Sequence, residues 1–336
     1  MTRRRLTRQQ QRRVQEIQER RRQRAGARAS ELSHQRLGPE QPGRIVAHHG
    51  AALQVEIEGP PRTRLRCVAR QNLGPLACGD EVVVQTTDGG KGVIVALKPR
   101  RSLLVRPSAQ GESRPYAANL DRIFIVAAVR PELSEHLIDH YLVSAESTAI
   151  HPVLVLNKVD LLDADERAQL DQRLSIYARL GYPLVFTSAK GDHGLDALRA
   201  QLSGHLSVMV GQSGVGKSSL VQALAPGEDI RIGALSDSEH GRHTTSTSVL
   251  YHLPFGGALI DSPGVRDFAV WHLEPEQIAH GFVEFRPFLG RCRFRDCSHR
   301  HDPGCALLAA VEAGEIAAGR LESYHRMIEE RAASSE

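Results

Sequence analysis

The chain has 336 residues, of which 41% are hydrophobic and 24% charged, and its net charge is +4. This length exceeds that of one ordinary domain, and the composition is that of a folded protein, which excludes a chain disordered throughout. The longest apolar runs, 123–129 and 153–156, are too short to span a bilayer, and the polar N-terminus lacks the apolar core of a secretory signal. We therefore expect a cytoplasmic, monomeric protein without a membrane partner.

The chain begins with a basic arm, which we assign to residues 1–38 and predict to be disordered. Residues 1–28 hold eleven Arg and two Glu, so the remaining chain carries a net charge of −5. Such arms commonly bind nucleic acid, because they displace counterions from the phosphates. The alternative is a solubilising tail, or sequence that precedes the true start.

Short β-rich runs follow, separated by Gly, Pro and Asp-Gly turns. Four or five such strands over about sixty residues, with 101–107 as the last, predict a small closed barrel over residues 39–108. A barrel of the oligonucleotide-binding (OB) kind fits this pattern, and an SH3-like barrel would give the same one.

Residues 109–270 alternate between strands and helices, which predicts a parallel sheet covered by helices on both faces. The predicted strands are 121–129, 152–156, 184–187 and Leu206–Val210, with a hairpin over 248–260; the predicted helices are 136–147, 164–180, Leu195–Leu202 and one that opens near Ser218. Residues 271–336 are predicted to form a helical domain that ends in one charged helix over 307–332.

Residues 211–218 read GQSGVGKS between an apolar strand and a helix, the pattern of a phosphate-binding loop. Gly211 and Gly216 let backbone N–H groups surround the phosphates, Lys217 reaches the β- and γ-phosphates, and the Ser218 hydroxyl binds Mg²⁺. A Gly-rich turn that only resembles the motif is the alternative. The predicted phosphate-binding residues are Gly211, Gln212, Ser213, Gly214, Val215, Gly216, Lys217, Ser218 and Ser219.

Two tetrapeptides at successive strand ends favour guanine over adenine. In residues 157–160 (NKVD) the Asp160 carboxylate can accept two hydrogen bonds from guanine, and adenine would leave it unsatisfied. In residues 187–190 (TSAK) a backbone N–H can contact the guanine carbonyl oxygen. Either tetrapeptide alone is a weak signal. The predicted base-binding residues are Asn157, Lys158, Val159, Asp160, Ser188, Ala189 and Lys190.

Residues 261–264 (DSPG) and 241–245 (GRHTT) supply the remaining predicted parts. Asp261 can hold Mg²⁺ through water, and the Gly264 N–H can contact the γ-phosphate. The second segment is suited to a mobile switch, in which Thr244 or Thr245 is the second Mg²⁺ hydroxyl; the sequence does not distinguish them.

The order of these motifs is unusual, because NKVD and TSAK precede the phosphate loop. A circularly permuted sheet can keep the same site. With GQSGVGKSSL, GRHTT, DSPGVRDF and FRPFLGRCRFRDCSH, residues 43–326 resemble the bacterial circularly permuted GTPases of the RsgA (YjeQ) family. This resemblance implies a barrel, a permuted GTPase domain and a zinc-binding helical domain. It also implies a slow GTPase that binds rRNA and assists late maturation of the small ribosomal subunit, is stimulated by that subunit and leaves it after hydrolysis.

Val265 follows Gly264, where many GTPases carry a glutamine that orients the attacking water. Valine cannot do this, so we expect low intrinsic turnover. By the resemblance, His243 is the candidate for positioning the water; alternatively it is a solvated switch residue.

Three cysteines and a histidine, Cys292, Cys297, His299 and Cys305, form a set suited to a structural tetrahedral Zn²⁺. The first two thiols are spaced more widely than in a CxxC knuckle, but the family's zinc motif has this spacing and favours His299 over His301. A cluster of buried or redox-active thiols is the alternative. The surrounding arginines either face RNA phosphates or form a solvated surface; they are Arg291, Arg293, Arg295 and Arg300.

Two other functions stay open on sequence grounds. In one, the protein is a nucleotide-gated RNA-binding scaffold whose turnover is incidental. In the other it is an ATP-dependent enzyme, which the NKVD segment disfavours.

Overall fold

A computed structural model of the chain describes residues 37–49, 52–59, 61–87, 90–107, 113–148, 150–190, 194–225, 248–261 and 273–335. Residues 1–36 of the predicted arm lie outside these ranges. The described residues divide into two compact units, one made mainly of 37–101 and the other mainly of 120–225, 251–261 and 273–335.

The first unit is a barrel of five strands: β1 (Leu37–His49), β2 (Ala52–Ile57), β3 (Thr63–Ala69), β4 (Glu81–Thr87) and β5 (Gly92–Leu97). Their order is β1-β2-β3-β5-β4, and β4 returns to pair with β1, which closes the barrel. β3 and β5 run parallel and the other pairs antiparallel. This is the Greek-key arrangement of an OB fold, so the structure decides against the SH3-like alternative. Alternate residues such as Ile45, Val55 and Val84 fill the interior.

The strand predicted at 101–107 is not part of this barrel. Strand β6 (Leu103–Pro107) pairs with β7 (Ser113–Ala118) in a separate two-stranded sheet. The reason is that the β1–β4 pairing already closes the barrel and leaves no edge to which a sixth strand could add.

The second unit is built on a sheet with the strand order β10-β9-β8-β11-β13, in which every neighbouring pair is parallel. Its strands are almost continuous apolar runs because helices cover both faces. The five parallel strands are β8 (Arg122–Ala128), β9 (His151–Asn157), β10 (Leu184–Phe186), β11 (Leu206–Val210) and β13 (Ala258–Asp261). A further strand, β12 (Ser248–His252), precedes β13 in the chain and lies next to it in the sheet. In the turn that precedes β13, the Leu253 N–H donates to the Gly257 carbonyl oxygen at 3.0 Å.

Seven α-helices complete the described part of the chain: α1 (Glu135–Glu146), α2 (Ala164–Arg179), α3 (Leu195–Leu202), α4 (Lys217–Leu224), α5 (Pro275–Gly281), α6 (Ala306–Glu312) and α7 (Ala318–Ser335). Local side chains set where α2 begins. Asp163 Oδ1 accepts from the Glu166 N–H at 2.8 Å and Glu166 Oε2 accepts from the Asp163 N–H at 3.1 Å, which is a capping box. In this part of the chain no helix is both long enough and apolar enough to cross a membrane.

The prediction of a single C-terminal helix over 307–332 is wrong, because the chain forms two helices there. Gly314 adopts the left-handed conformation, with φ of 74°, and its N–H donates to the Val311 carbonyl oxygen, which ends α6. Ile316 then turns into the core, where it is 1% exposed, before α7 begins at Ala318.

The C-terminal helices pack directly on α1. Val143 of α1 belongs to the same apolar cluster as Phe282, Phe285 and Met327. A Cβ on Gly281 would lie only 2.6 Å from Val143 Cγ1, so this approach requires glycine. The C-terminal helices next to the cysteine-histidine cluster therefore share an apolar core with α1.

Candidate functional site

The described parts of the predicted nucleotide site all lie where strands of the parallel sheet end. Asn157 is the last residue of β9, Thr187 follows β10, Gly211 follows β11 and Asp261 is the last residue of β13. Because the strands are parallel, their carboxyl ends meet along one edge of the sheet, which is where α/β folds bind ligands.

The loop between β11 and α4 has a backbone that only glycines can supply. Gly211, Gly214 and Gly216 have φ of 141°, 82° and 93°. A Cβ on Gly216 would collide with the Asn157 side chain. Lys217 Nζ donates to the carbonyl oxygens of Gly211 and Gln212 at 2.7 and 2.8 Å, so its ammonium lies over the loop. The loop is largely open to solvent, as are Ser218 and Ser219 at the start of α4.

Two residues of NKVD are hydrogen-bonded to this loop. The buried Asn157 Nδ2 donates to the Val215 carbonyl oxygen at 2.8 Å, and Lys158 Nζ donates to the Gly214 and Arg130 carbonyl oxygens at 2.6 and 2.7 Å. Lys158 itself has φ of 65°. Asn157 Oδ1 is buried without a hydrogen-bond partner among the described residues. Such an acceptor is ordinarily satisfied, which leaves it available to a ligand or to a segment outside those residues.

Asp160 and TSAK come together beside the loop. Ser188 Oγ lies 2.5 Å from Asp160 Oδ1 and accepts from the Lys190 N–H at 3.0 Å. Ser188 is 1% exposed, whereas the Asp160 side chain is open to solvent and Ala189 is half-buried. The Ser188 hydroxyl thus holds one oxygen of the Asp160 carboxylate in place, while the carboxylate can still accept hydrogen bonds from a ligand.

Four predicted catalytic residues, His243, Thr244, Thr245 and Gly264, lie outside the described residues, as does Val265. Asp261 is described and is half-buried at the end of β13. The carbonyl of Arg130, by contrast, contacts Lys158 but was not predicted, because a backbone acceptor leaves no mark in residue type.

Cys292, Cys297, His299 and Cys305 also come together, with their ligand atoms all within 4.8 Å of one another. His299 Nδ1 lies 3.5 Å from the sulfurs of Cys292 and Cys297 and 3.4 Å from that of Cys305. Four ligands at ordinary zinc bond lengths would be about 3.6 Å (N to S) and about 3.8 Å (S to S) apart. The 4.0 Å between the Cys292 and Cys305 sulfurs is close to this value. The group therefore fits a tetrahedral metal ion, and His301 is not part of it.

The surroundings of His299 prepare it as a ligand. Burial, and secondarily the charge of His325, lowers the pKa of His299, which favours the neutral imidazole that binds metals. His299 has φ of 60°, and the next turn is held by Asp302, which accepts from the Ser298 N–H and hydroxyl at 2.9 and 2.6 Å. Cys305 is buried in the same core as Phe285, so the cluster is continuous with the fold.

A phosphate loop on a parallel sheet, with a guanine motif hydrogen-bonded to it from an earlier strand, defines a circularly permuted GTPase. A model of the RsgA GTPase family matches residues 97–271. The chain belongs to the RsgA GTPase family.

Relatives agree with this assignment over nearly the whole chain. The small ribosomal subunit biogenesis GTPase RsgA of Pseudomonas aeruginosa is 50% identical over 333 residues, which cover 98% of each chain. The crystal structure of YjeQ from Thermotoga maritima is 37% identical, has a TM-score of 0.73 and covers 88% of this chain and 99% of its own. That of YloQ, described as a circularly permuted GTPase, is 28% identical with a TM-score of 0.70, covering 88% and 96%.

Proposed function

We propose that this protein hydrolyses GTP to GDP and phosphate in association with the small ribosomal subunit, whose late maturation it assists. The protein binds the subunit and its rRNA as a monomer. The subunit stimulates GTP hydrolysis, and the protein leaves the subunit after hydrolysis. The 50% identity to a relative named for small-subunit biogenesis supports this, since it extends over 98% of both chains. The family name and the resemblance in the GTPase motifs favour an enzyme over a scaffold with incidental turnover.

The observation that carries the proposal is the pair of contacts between NKVD and the phosphate loop. Asn157 and Lys158 donate to carbonyls of Val215 and Gly214, so the base-reading and phosphate-binding segments form one hydrogen-bonded body. Asp160 then accepts from the guanine N1–H and amino groups, and adenine lacks this pair of donors. A backbone N–H in the segment that holds Ser188, Ala189 and Lys190 contacts the guanine carbonyl oxygen, next to the groups that Asp160 reads.

At the phosphates, Lys217 exchanges its loop carbonyls for the β- and γ-phosphate oxygens, which are charged and therefore stronger acceptors. The Ser218 hydroxyl and, through water, Asp261 would hold Mg²⁺, which would offset the negative charge of the phosphate oxygens. Thr244 or Thr245 supplies the second hydroxyl and Gly264 the N–H to the γ-phosphate.

Hydrolysis is slow in the isolated protein because Val265 cannot orient water. We propose that His243 positions the attacking water once the subunit orders the switch. The cysteine-histidine cluster holds a structural Zn²⁺, since all four ligand positions come from the protein.

The test is GTP turnover with purified small subunits, with large subunits and with neither. The proposal predicts stimulation by small subunits, loss of turnover in Lys217→Ala, and displacement of labelled GDP by GTP but not by ATP. Stimulation by large subunits alone would contradict the proposed function. A turnover rate that neither subunit changes would favour the RNA-binding scaffold with incidental turnover.

A further inference from the structure

The loop between the first two cysteines of the cluster carries an exposed aromatic ring. Residues 293–296 (RFRD) separate Cys292 from Cys297, two more residues than a CxxC knuckle has. Phe294 is 44% exposed, and Leu161, at 43%, is the only other large exposed hydrophobic side chain in the described chain. The wider spacing thus gives room for a side chain that the core does not take up.

This loop is held at both ends. The sulfurs of Cys292 and Cys297 each lie 3.5 Å from His299 Nδ1. Next to Phe294, the Arg293 N–H donates to the Gly304 carbonyl oxygen at 3.0 Å. The ring is therefore presented by a fixed backbone, which lowers the entropy lost when it binds something.

Three arginines, with one aspartate, surround Phe294 in the sequence. Arg291, Arg293 and Arg295 are exposed, and within the described ranges none of them makes a salt bridge. Arg300 differs, since it pairs with Glu329 at 2.7 Å. The Arg293 guanidinium lies 5.5 Å from the centroid of the Phe294 ring. Asp296 is the one acidic side chain in the loop.

We propose that Phe294 stacks on an unpaired RNA base while Arg291, Arg293 and Arg295 bind the flanking phosphates. Aromatic rings and guanidinium planes are the groups on which splayed-out bases stack. A paired base offers no free face to an exposed ring, so the surface favours single-stranded over duplex RNA. Isolated exposed apolar residues are common, but here three guanidiniums that have no carboxylate partner among the described residues lie beside the ring. This inference rests on the proposed function for its biological ligand, but not for its test.

The test measures binding of the full-length protein to a fluorescein-labelled oligouridine and to an RNA hairpin stem of equal charge. Phe294→Ala should weaken oligouridine binding about fivefold or more, the lower range for one stacked base, and leave stem binding unchanged. Phe294→Trp should retain oligouridine affinity, whereas Phe294→Leu, which is apolar but not aromatic, should not. Arg293→Ala should weaken both ligands and lower the single-strand salt slope by about 0.7.

Matched controls separate this surface from general effects. Leu161→Ala removes the other exposed apolar side chain, and Arg179→Ala removes an exposed arginine on α2; both should bind oligouridine like the parent protein. Metal content, measured for each variant, shows whether the loop is intact. The N-terminal arm is present in every variant and contributes equally.

Three outcomes would overturn the inference. In the first, Phe294→Ala binds oligouridine as tightly as the parent protein does. In the second, Phe294→Ala weakens the binding of oligouridine and of the stem equally. In the third, Phe294→Ala keeps its affinity for oligouridine but no longer binds small subunits. The last would assign Phe294 to a protein surface. Stimulation of the parent by small subunits tests the proposed function separately, and either result can stand without the other.

Discussion

Asn157 and Val215, 58 residues apart, are joined by a 2.8 Å hydrogen bond from Nδ2 of the first to the carbonyl oxygen of the second. The amide is 1% exposed and comes from the strand end that also carries Lys158 and Asp160. It fixes the guanine motif to the phosphate loop before any ligand arrives, so the site is partly preorganised.

The first prediction follows from this bond. Asn157→Ala removes the donor and leaves the Val215 carbonyl without its partner, a cost of about 1–3 kcal/mol. Affinity for labelled GDP, measured by fluorescence titration, should fall about 5- to 150-fold. Gln172→Ala on the exposed face of α2 should bind like the parent protein. Unchanged affinity in Asn157→Ala would show that the bond does not shape the site.

The second prediction concerns base specificity at Asp160. Asparagine presents one acceptor and one donor in place of two acceptors, and xanthine carries an oxygen where guanine has an amino group. Asp160→Asn should therefore bind GTP at least about tenfold more weakly and prefer XTP. Competition between the two nucleotides for the labelled site measures this. Asp165→Asn, an exposed neighbour on α2, should keep the preference for GTP, and an unaltered ratio in Asp160→Asn would remove Asp160 from base recognition.

The third prediction distinguishes the two histidines near the cysteines. His299 Nδ1 lies within 3.5 Å of three sulfurs, while His301 is outside the group. His299→Ala should lose the bound metal, measured by atomic emission, and some helical circular dichroism, because Cys305 is part of the core. His301→Ala should retain one metal ion per chain. Equal metal content in the two variants would contradict the ligand set.

The fourth prediction concerns a buried ion network that joins Arg320 of α7 to Asp139 of α1 and to Glu284, which follows α5. Arg320, 3% exposed, donates to Asp139 Oδ1 at 2.5 Å and to Glu284 at 2.6 and 3.2 Å. Arg320→Met leaves both carboxylates buried without their cation, which should lower the free energy of unfolding by about 3–5 kcal/mol. Arg326→Ala breaks only the exposed pair with Glu330 and should cost about 1 kcal/mol or less. Denaturant unfolding measures both, and similar losses in the two would refute a buried network.

The fifth prediction is a pH dependence from His140. Burial, then the charge of His136, lowers the pKa of His140 to about 4 in the folded protein, against 6.5 unfolded. Between these values only the unfolded chain takes up the proton, so the free energy of unfolding falls as the pH drops from 6.5 to 4. The loss is bounded by about 3 kcal/mol. His140→Leu should give a flatter curve over that window; parallel curves for variant and parent would contradict the assignment.

Sequence patterns predicted the elements whose apolar runs are short and sharply bounded. Leu206–Val210 and Leu195–Leu202 have the predicted bounds because a glycine or polar turn stands at each end. The stretch 307–332 reads as one charged helix, although Gly314 within it is a stop signal that marks the end of α6. The pairing of Arg320 with Asp139 joins residues 181 apart. No local pattern encodes such a contact, since it depends on how α7 packs on α1.

The strand order also has a consequence for how the chain folds as it is synthesised. Of the strands in the parallel sheet, β8, β9 and β10 are made first and can pair at once, but β8 lies between β9 and β11. Until β11 emerges, β8 presents an unpaired edge of apolar residues, the kind of edge on which nascent chains aggregate. The guanine motif is thus complete before the phosphate loop exists. A ribosome that pauses between these segments would hold half of the sheet without bound nucleotide. The exposed edge of β8 is covered only when β11 has been translated.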